Sequence, residues 1–166
     1  MKYSIGDKVV HPMHGAGLVE DITEIEVGGR RKLYYALKFA VGNMVTNIPV
    51  ENADVIGIRT IISKDEAKKV MESFCAYEIC EDTNWNKRQR ENLVKIKSGD
   101  IYIVLGVLKE LMYRDLIKGL STSERKTLSS ARQIVVSELV MSGYADLESV
   151  EEIMGDSVEQ CMPEKR

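Results

Sequence analysis

The chain has 166 residues and a mass of 18.7 kDa, 44% hydrophobic and 30% charged, which excludes wholesale disorder and leaves room for one large domain or two small ones. No apolar run approaches the roughly 20 residues that span a bilayer, and Met1–Asp7 carries no apolar signal core, so neither a membrane protein nor a secreted one is expected. The net charge of −3 conceals a gradient of −1 over residues 1–58, −2 over 59–83, +6 over 84–132 and −6 over 133–166, so a basic centre able to hold a polyanion sits inside an acidic protein.

Residues 1–58 read as strands. Lys8–His11, Gly17–Ile22, Leu33–Phe39, Met44–Pro49 and Val55–Ile58 are short runs rich in β-branched and aromatic residues, separated by turn residues. Gly28-Gly29 and Val41-Gly42-Asn43 supply the positive φ that hairpin connections need. Five short strands in so few residues suit a small, strongly bent SH3- or Tudor-like β-barrel better than two sheets.

After Ile58 the period becomes helical. Ser63-Lys64-Asp65-Glu66 matches a capping box opening a helix to about Tyr77. Asp82-Thr83-Asn84 offers cap side chains for a second helix, ending near Ser98-Gly99. Asp100 caps a third, with Ile101, Val104, Leu105, Leu108, Leu111 and Met112 at helical spacing. Ser121-Thr122-Ser123-Glu124 opens a fourth, which runs to about Gly143. Asp146 starts a short acidic helix through Met154, and the tail from Gly155 is expected to fray. The fold class is therefore α+β in two domains: a barrel over residues 1–60 and a compact all-α bundle over 61–166, frayed after about 155.

Catalytic and metal chemistry find little support. His11 and His14 form an H-x-x-H at a strand end, where side chains three apart point to opposite faces. Cys75, Cys80 and Cys161 lack C-x-x-C spacing and read as free thiols of a reducing compartment, hence a cytoplasmic protein. Gly15-Ala16-Gly17 is a lone G-x-G and reads as a strand-entry turn. No enzyme, metal or cofactor is expected.

The segment Thr83-Asn84-Trp85-Asn86-Lys87-Arg88-Gln89-Arg90 holds the only tryptophan. Its i+3 and i+4 neighbours, Arg88 and Gln89, are not the apolar partners of a core tryptophan. The ring either packs sideways onto the bundle or stands exposed among cations, and Lys95 and Lys97 extend the positive surface. An exposed ring among cations suits nucleic acid, because cations neutralise phosphate while a flat apolar ring stacks on a base or wedges into a groove. The Asn84 side chain and first-turn N–H groups favour an anion. In the barrel, Ala36–Phe39 to Asn47–Pro49 is either ordinary core or an edge able to pair an external strand.

The whole chain resembles the CarD/CdnL family of bacterial RNA polymerase-binding transcription regulators. The matching residues run in order: Ile5–Pro12, His14–Gly17, Ile48–Ala53, Gly57–Arg59, Thr83–Arg88, Lys97–Asp100, Gly119–Ser121 with Glu124–Lys126, and Ala131–Gln133. The resemblance implies a barrel that docks on the polymerase β subunit by strand-edge pairing, with Leu37, Met44, Asn47 and Pro49 at docking positions. It implies a helical domain on promoter DNA, with Trp85 wedged into the widened minor groove at the upstream edge of the bubble. Asn84, Lys87, Arg88, Arg90 and Lys97 would then serve the DNA-binding surface, reading shape and phosphate rather than sequence. Ile25 and Asn47 stand where some members carry arginine. The alternative is a protein-interaction adaptor on the polymerase without direct DNA contact.

Overall fold

The computed structural model describes residues 1–80 and 84–163. The strand-forming runs of the first sixty residues build one antiparallel five-stranded sheet, of the Tudor-like kind expected: β1 (Lys8–His11), β2 (Gly15–Val27), β3 (Arg30–Phe39), β4 (Val45–Pro49) and β5 (Arg59–Thr60), in the order β4-β3-β2-β1-β5. β2 and β3 form a long hairpin whose two-residue turn, Gly28-Gly29, has positive φ at both positions. A register shift between Val19 and Asp21 lets β2 bend around the core. That core comprises Tyr3, Val9, Val19, Tyr35, Leu37, Phe39, Ile48, Ala53 and Ile58.

The fifth strand differs from the sequence expectation. Val55–Ile58 is not a strand: a 3₁₀ turn at Val50–Asn52 leads into the short helix α1 (Ala53–Ile56). Ala53 and Ile58 face the core, while Val55 is 86% exposed, a spacing that a helical turn provides and a strand does not. Gly57, at φ +98°, ends the turn in the left-handed region and releases the chain into β5.

The helices are α2 (Lys64–Ala76), α3 (Trp85–Ile96), α4 (Ile101–Ile117), α5 (Thr122–Met141) and α6 (Leu147–Gln160). Each opens on a cap legible in the sequence. Ser63, Asn84, Asp100, Ser121 and Asp146 accept from the backbone N–H of Glu66, Lys87, Tyr102, Glu124 and Ser149 at 2.8–3.2 Å. The alternative caps Asp82 and Thr83 lie outside the described residues. α6 outruns its expected end at Met154. Met154 and Val158, one turn apart, are both buried, so packing carries the helix to Gln160 where fraying from Gly155 was expected. Residues 164–166 lie outside the described residues.

The bundle closes over Val70, Phe74, Leu105, Leu108, Val135, Leu139 and Val150. Sheet and bundle meet along α5. Ser137 Oγ accepts from Ala16 N (2.9 Å), Gln133 Nε2 donates to His14 O (2.9 Å), and Lys8 Nζ donates to Met141 O (3.0 Å).

Candidate nucleic-acid interface and docking edge

Trp85 is the first residue of α3 and is 42% exposed. The helix explains why. Its inward residues are Arg88, Asn92 and Ile96, so the stripe that starts at Trp85 is mostly polar and the ring has little apolar surface to sink into. Trp85, Asn86, Gln89 and Arg90 line one shallow surface depression. Lys87, Arg90, Glu91, Val94 and Lys95 line a second, with Val94 72% exposed among the cations.

The cations do not surround the ring evenly. At about 100° per residue, Lys87 lies roughly 160° around the helix from Trp85, and Lys97, at the C-cap, is roughly 18 Å along the axis. By the same rule Arg90 lies roughly 140° around, and it meets the ring only through the shallow depression that both line. Asn84 is exposed and caps the helix through Lys87 N–H. Lys87, Arg90 and Lys97 are all exposed.

Arg88, also expected at the phosphates, faces inward. It is 8% exposed, and its guanidinium makes a two-pronged contact with Glu124 of α5: Nε to Oε2 at 3.1 Å and Nη2 to Oε1 at 3.0 Å. Glu124 is itself 2% exposed. Gln89 Nε2 donates to Thr127 Oγ1 at 3.3 Å one turn further along α5. Among the described residues, the buried Nδ2 of Asn92 has no acceptor.

The end of α2 is held by groups that sequence reasoning missed. Lys109 is fully buried, and its ammonium donates to the carbonyls of Phe74 (2.7 Å), Cys75 (3.0 Å) and Tyr77 (3.0 Å), satisfying the helix C-terminus. Its signal was a lysine four residues after Leu105 on the apolar stripe of α4, a position that demands acceptors. Glu110 Oε1 accepts from Tyr77 Oη (3.1 Å), and burial together with this carboxylate pushes the Tyr77 hydroxyl up to about 12.

In the sheet, β4 is an edge strand, paired only with β3 among the described residues. Phe39 N–H donates to Met44 O (2.9 Å), so by antiparallel alternation Thr46 and Ile48 turn their backbone groups to β3, while Val45, Asn47 and Pro49 turn theirs outward. Pro49 therefore costs the ladder no donor. Met44, Val45 and Asn47 are exposed and Pro49 is half-buried. Leu37 does not belong to this surface: it is 1% exposed in β3, opposite Thr46, and packs in the sheet core. Ile25 pairs with Lys32 on the hairpin, and Lys32 Nζ meets Glu51 at 2.9 Å.

The histidine pair also differs from expectation. β1 ends at His11, and the following turn folds back, so the two rings lie 4.6 Å apart, tilted by 40°, instead of pointing apart. His11 Nδ1 accepts from Met13 N–H (3.0 Å), and burial, then the neighbouring His14, lowers the His11 pKa to about 4. Among the described residues no helix is long and apolar enough to cross a membrane.

The described residues thus combine a five-stranded sheet that has β4 at one edge with a capped helical bundle that exposes a tryptophan. Residues 3–62 match the CarD-like/TRCF RID domain, and residues 69–155 match the CarD C-terminal domain. The chain is also 34% identical over 145 residues to YdeB of Bacillus subtilis (strain 168), classed by its name among transcription factors, covering 87% of this chain and 95% of the relative. The protein belongs to the CarD-like family of transcription factors, which places it in RNA polymerase-associated transcription regulation.

Proposed function

We propose that this protein is a cytoplasmic, non-enzymatic regulator that binds the polymerase β subunit through β4 and promoter DNA through the N-terminal end of α3. Trp85 inserts into the minor groove at the upstream edge of the bubble and holds the open complex. The half-exposed tryptophan at the first turn of α3 carries this reading. Unstacking a base step costs a few kcal/mol, less where the bases are already parted, so an apolar wedge is most effective at a bubble edge. Arg90 across the shared depression, Asn84 at the cap and Lys87 on the far side hold phosphates around the ring, and Lys97 meets the backbone further along. These contacts carry little sequence information. The outward backbone groups of Val45, Asn47 and Pro49 offer a partner strand its hydrogen bonds, with Met44 beside them.

The test is open-complex lifetime with purified polymerase, wild type against Trp85→Ala. The lifetime shortens in the variant if the ring is the wedge. An unchanged lifetime, with polymerase binding intact, leaves only the adaptor that touches no DNA.

A further inference from the structure

We propose that Arg88 and Glu124 are positioning residues: their buried two-pronged pair fixes the rotation of α3 and thereby the direction in which Trp85 leaves the protein surface. This deepens the proposed role of Trp85 and rests on it. The geometry is specific. Arg88 stands three residues after Trp85, so the two share one side of the first turns of α3. Its guanidinium is held by both carboxylate oxygens of Glu124 at 3.0 and 3.1 Å, and both side chains are more than nine-tenths buried. A planar fork on a planar carboxylate fixes orientation as well as distance.

Glu124 is also oriented from its own side. It sits in the first turn of α5, and its backbone N–H is capped by Ser121 Oγ at 3.2 Å. The sequence pattern of a capping box would send the Glu124 carboxylate back to the cap residue. Here the carboxylate reaches α3 instead. The Gln89–Thr127 contact, at 3.3 Å, sets the same two helices against each other one residue further along α3. The inner face of α3 is thus oriented by directional polar contacts where an apolar stripe would permit sliding and rotation. A wedge displaced by a fraction of a turn misses its groove, which is why such a site needs support from behind.

The experiment uses the full chain and Trp85 as its own reporter, since it is the only tryptophan. Indole emission and acrylamide quenching are measured in the free protein, and open-complex lifetime is measured with polymerase across a salt series. The variants are Glu124→Gln, Arg88→Lys and the double replacement Arg88→Met with Glu124→Met, which leaves no unpaired buried charge if a single change unfolds the bundle. The expected result is altered quenching in every folded variant. Lifetimes fall to within a factor of about two of Trp85→Ala, with the log–log salt slope unchanged.

Arg88→Lys is the sharpest arm, because it keeps the charge and loses the fork. If Arg88→Lys retains the wild-type lifetime, or if the double methionine replacement lowers the salt slope by about 1 while Glu124→Gln changes nothing, Arg88 is a phosphate contact and the proposal is overturned. Unmoved quenching in folded Glu124→Gln overturns it as well. If Trp85→Ala itself leaves the lifetime intact, the wedge fails, while the quenching data still decide whether the pair orients the ring.

Discussion

Arg59 of β5 and Glu138 of α5 join the sheet to the bundle through two hydrogen bonds of 2.7 Å each. Glu138 is fully buried, and its Oε2 also accepts from Ile62 N–H at 3.0 Å, while Arg59 Nε donates to Gly99 O at 3.1 Å. One side-chain pair therefore ties together the last strand, the chain leading into α2, the α3–α4 turn and the last turn of α5. Removing the arginine leaves a buried carboxylate without its counter-charge. Arg59→Ala is expected to cost about 3–5 kcal/mol in urea unfolding, and replacing both partners by methionine to recover most of it. A loss below about 1 kcal/mol would show that the pair behaves as a solvated surface bridge.

The β4 edge makes a separate prediction. Val45 N–H points away from β3, so Val45→Pro removes a donor that the sheet itself does not use. Stability should change little, while affinity for the polymerase β subunit falls about tenfold, the effect of one lost edge bond plus a local kink. Asn47→Arg restores a cation at an exposed position and is expected to strengthen docking by about 0.2–1 kcal/mol at low salt, a gain that vanishes at high salt. Loss of folding stability in Val45→Pro equal to its loss of affinity would mean that the N–H is used internally.

Most of the fold was legible because its signals are local. Five caps, the apolar stripe of α4 and the diglycine turn each need only a few neighbouring residues to be recognised. The burial of Arg88 and Leu37 was not legible, because it depends on residues far along the chain. Nothing near Arg88 announces that Glu124, thirty-six residues later, will be buried against it. Leu37 lies on the inward face of β3, and the edge belongs to β4, a fact of strand order that no local pattern contains. α6 ran past its expected end for the same reason: Val158 is held by other helices, not by its own neighbours.

Acidification should weaken the junction near His11. Its pKa in the folded protein is about 4, below the ordinary 6.5, because burial and then His14 disfavour the charged ring. As pH falls, the unfolded chain takes up the proton first. The neutral ring therefore contributes stability that is complete above about pH 6.5 and is lost progressively towards pH 4, on the order of 2–3 kcal/mol. His11→Asn retains an acceptor for Met13 N–H but does not titrate. Urea midpoints measured from pH 7 to 4 should fall more steeply for the wild type than for this variant. Parallel slopes would show that His11 is not the titrating group.

Gly15 and Gly29 carry the last prediction, because similar backbone angles have different surroundings. Gly15 has φ +83° and Gly29 has φ +77°, so a side chain at either is strained by about 1–2 kcal/mol. At Gly29, in the hairpin turn, a Cβ would meet nothing within 4 Å. At Gly15 it would lie 2.5 Å from Ser137 Oγ, 2.9 Å from Gln133 O and 3.1 Å from Ile134 Cα. Ser137 Oγ can rotate away only by abandoning its bond to Ala16 N–H, and a helical carbonyl cannot rotate away at all. The backbone of β2 must therefore retreat from α5, the helix against which it packs. Gly29→Ala is expected to lower stability by about 1 kcal/mol, and Gly15→Ala by about 3 kcal/mol or more, as overpacking adds to strain. Gly15→Ala should also raise amide exchange at Ala16 and along the facing turn of α5, which Gly29→Ala leaves protected. Equal losses in the two variants would mean that backbone strain alone explains Gly15 and that the close approach to α5 carries no energy.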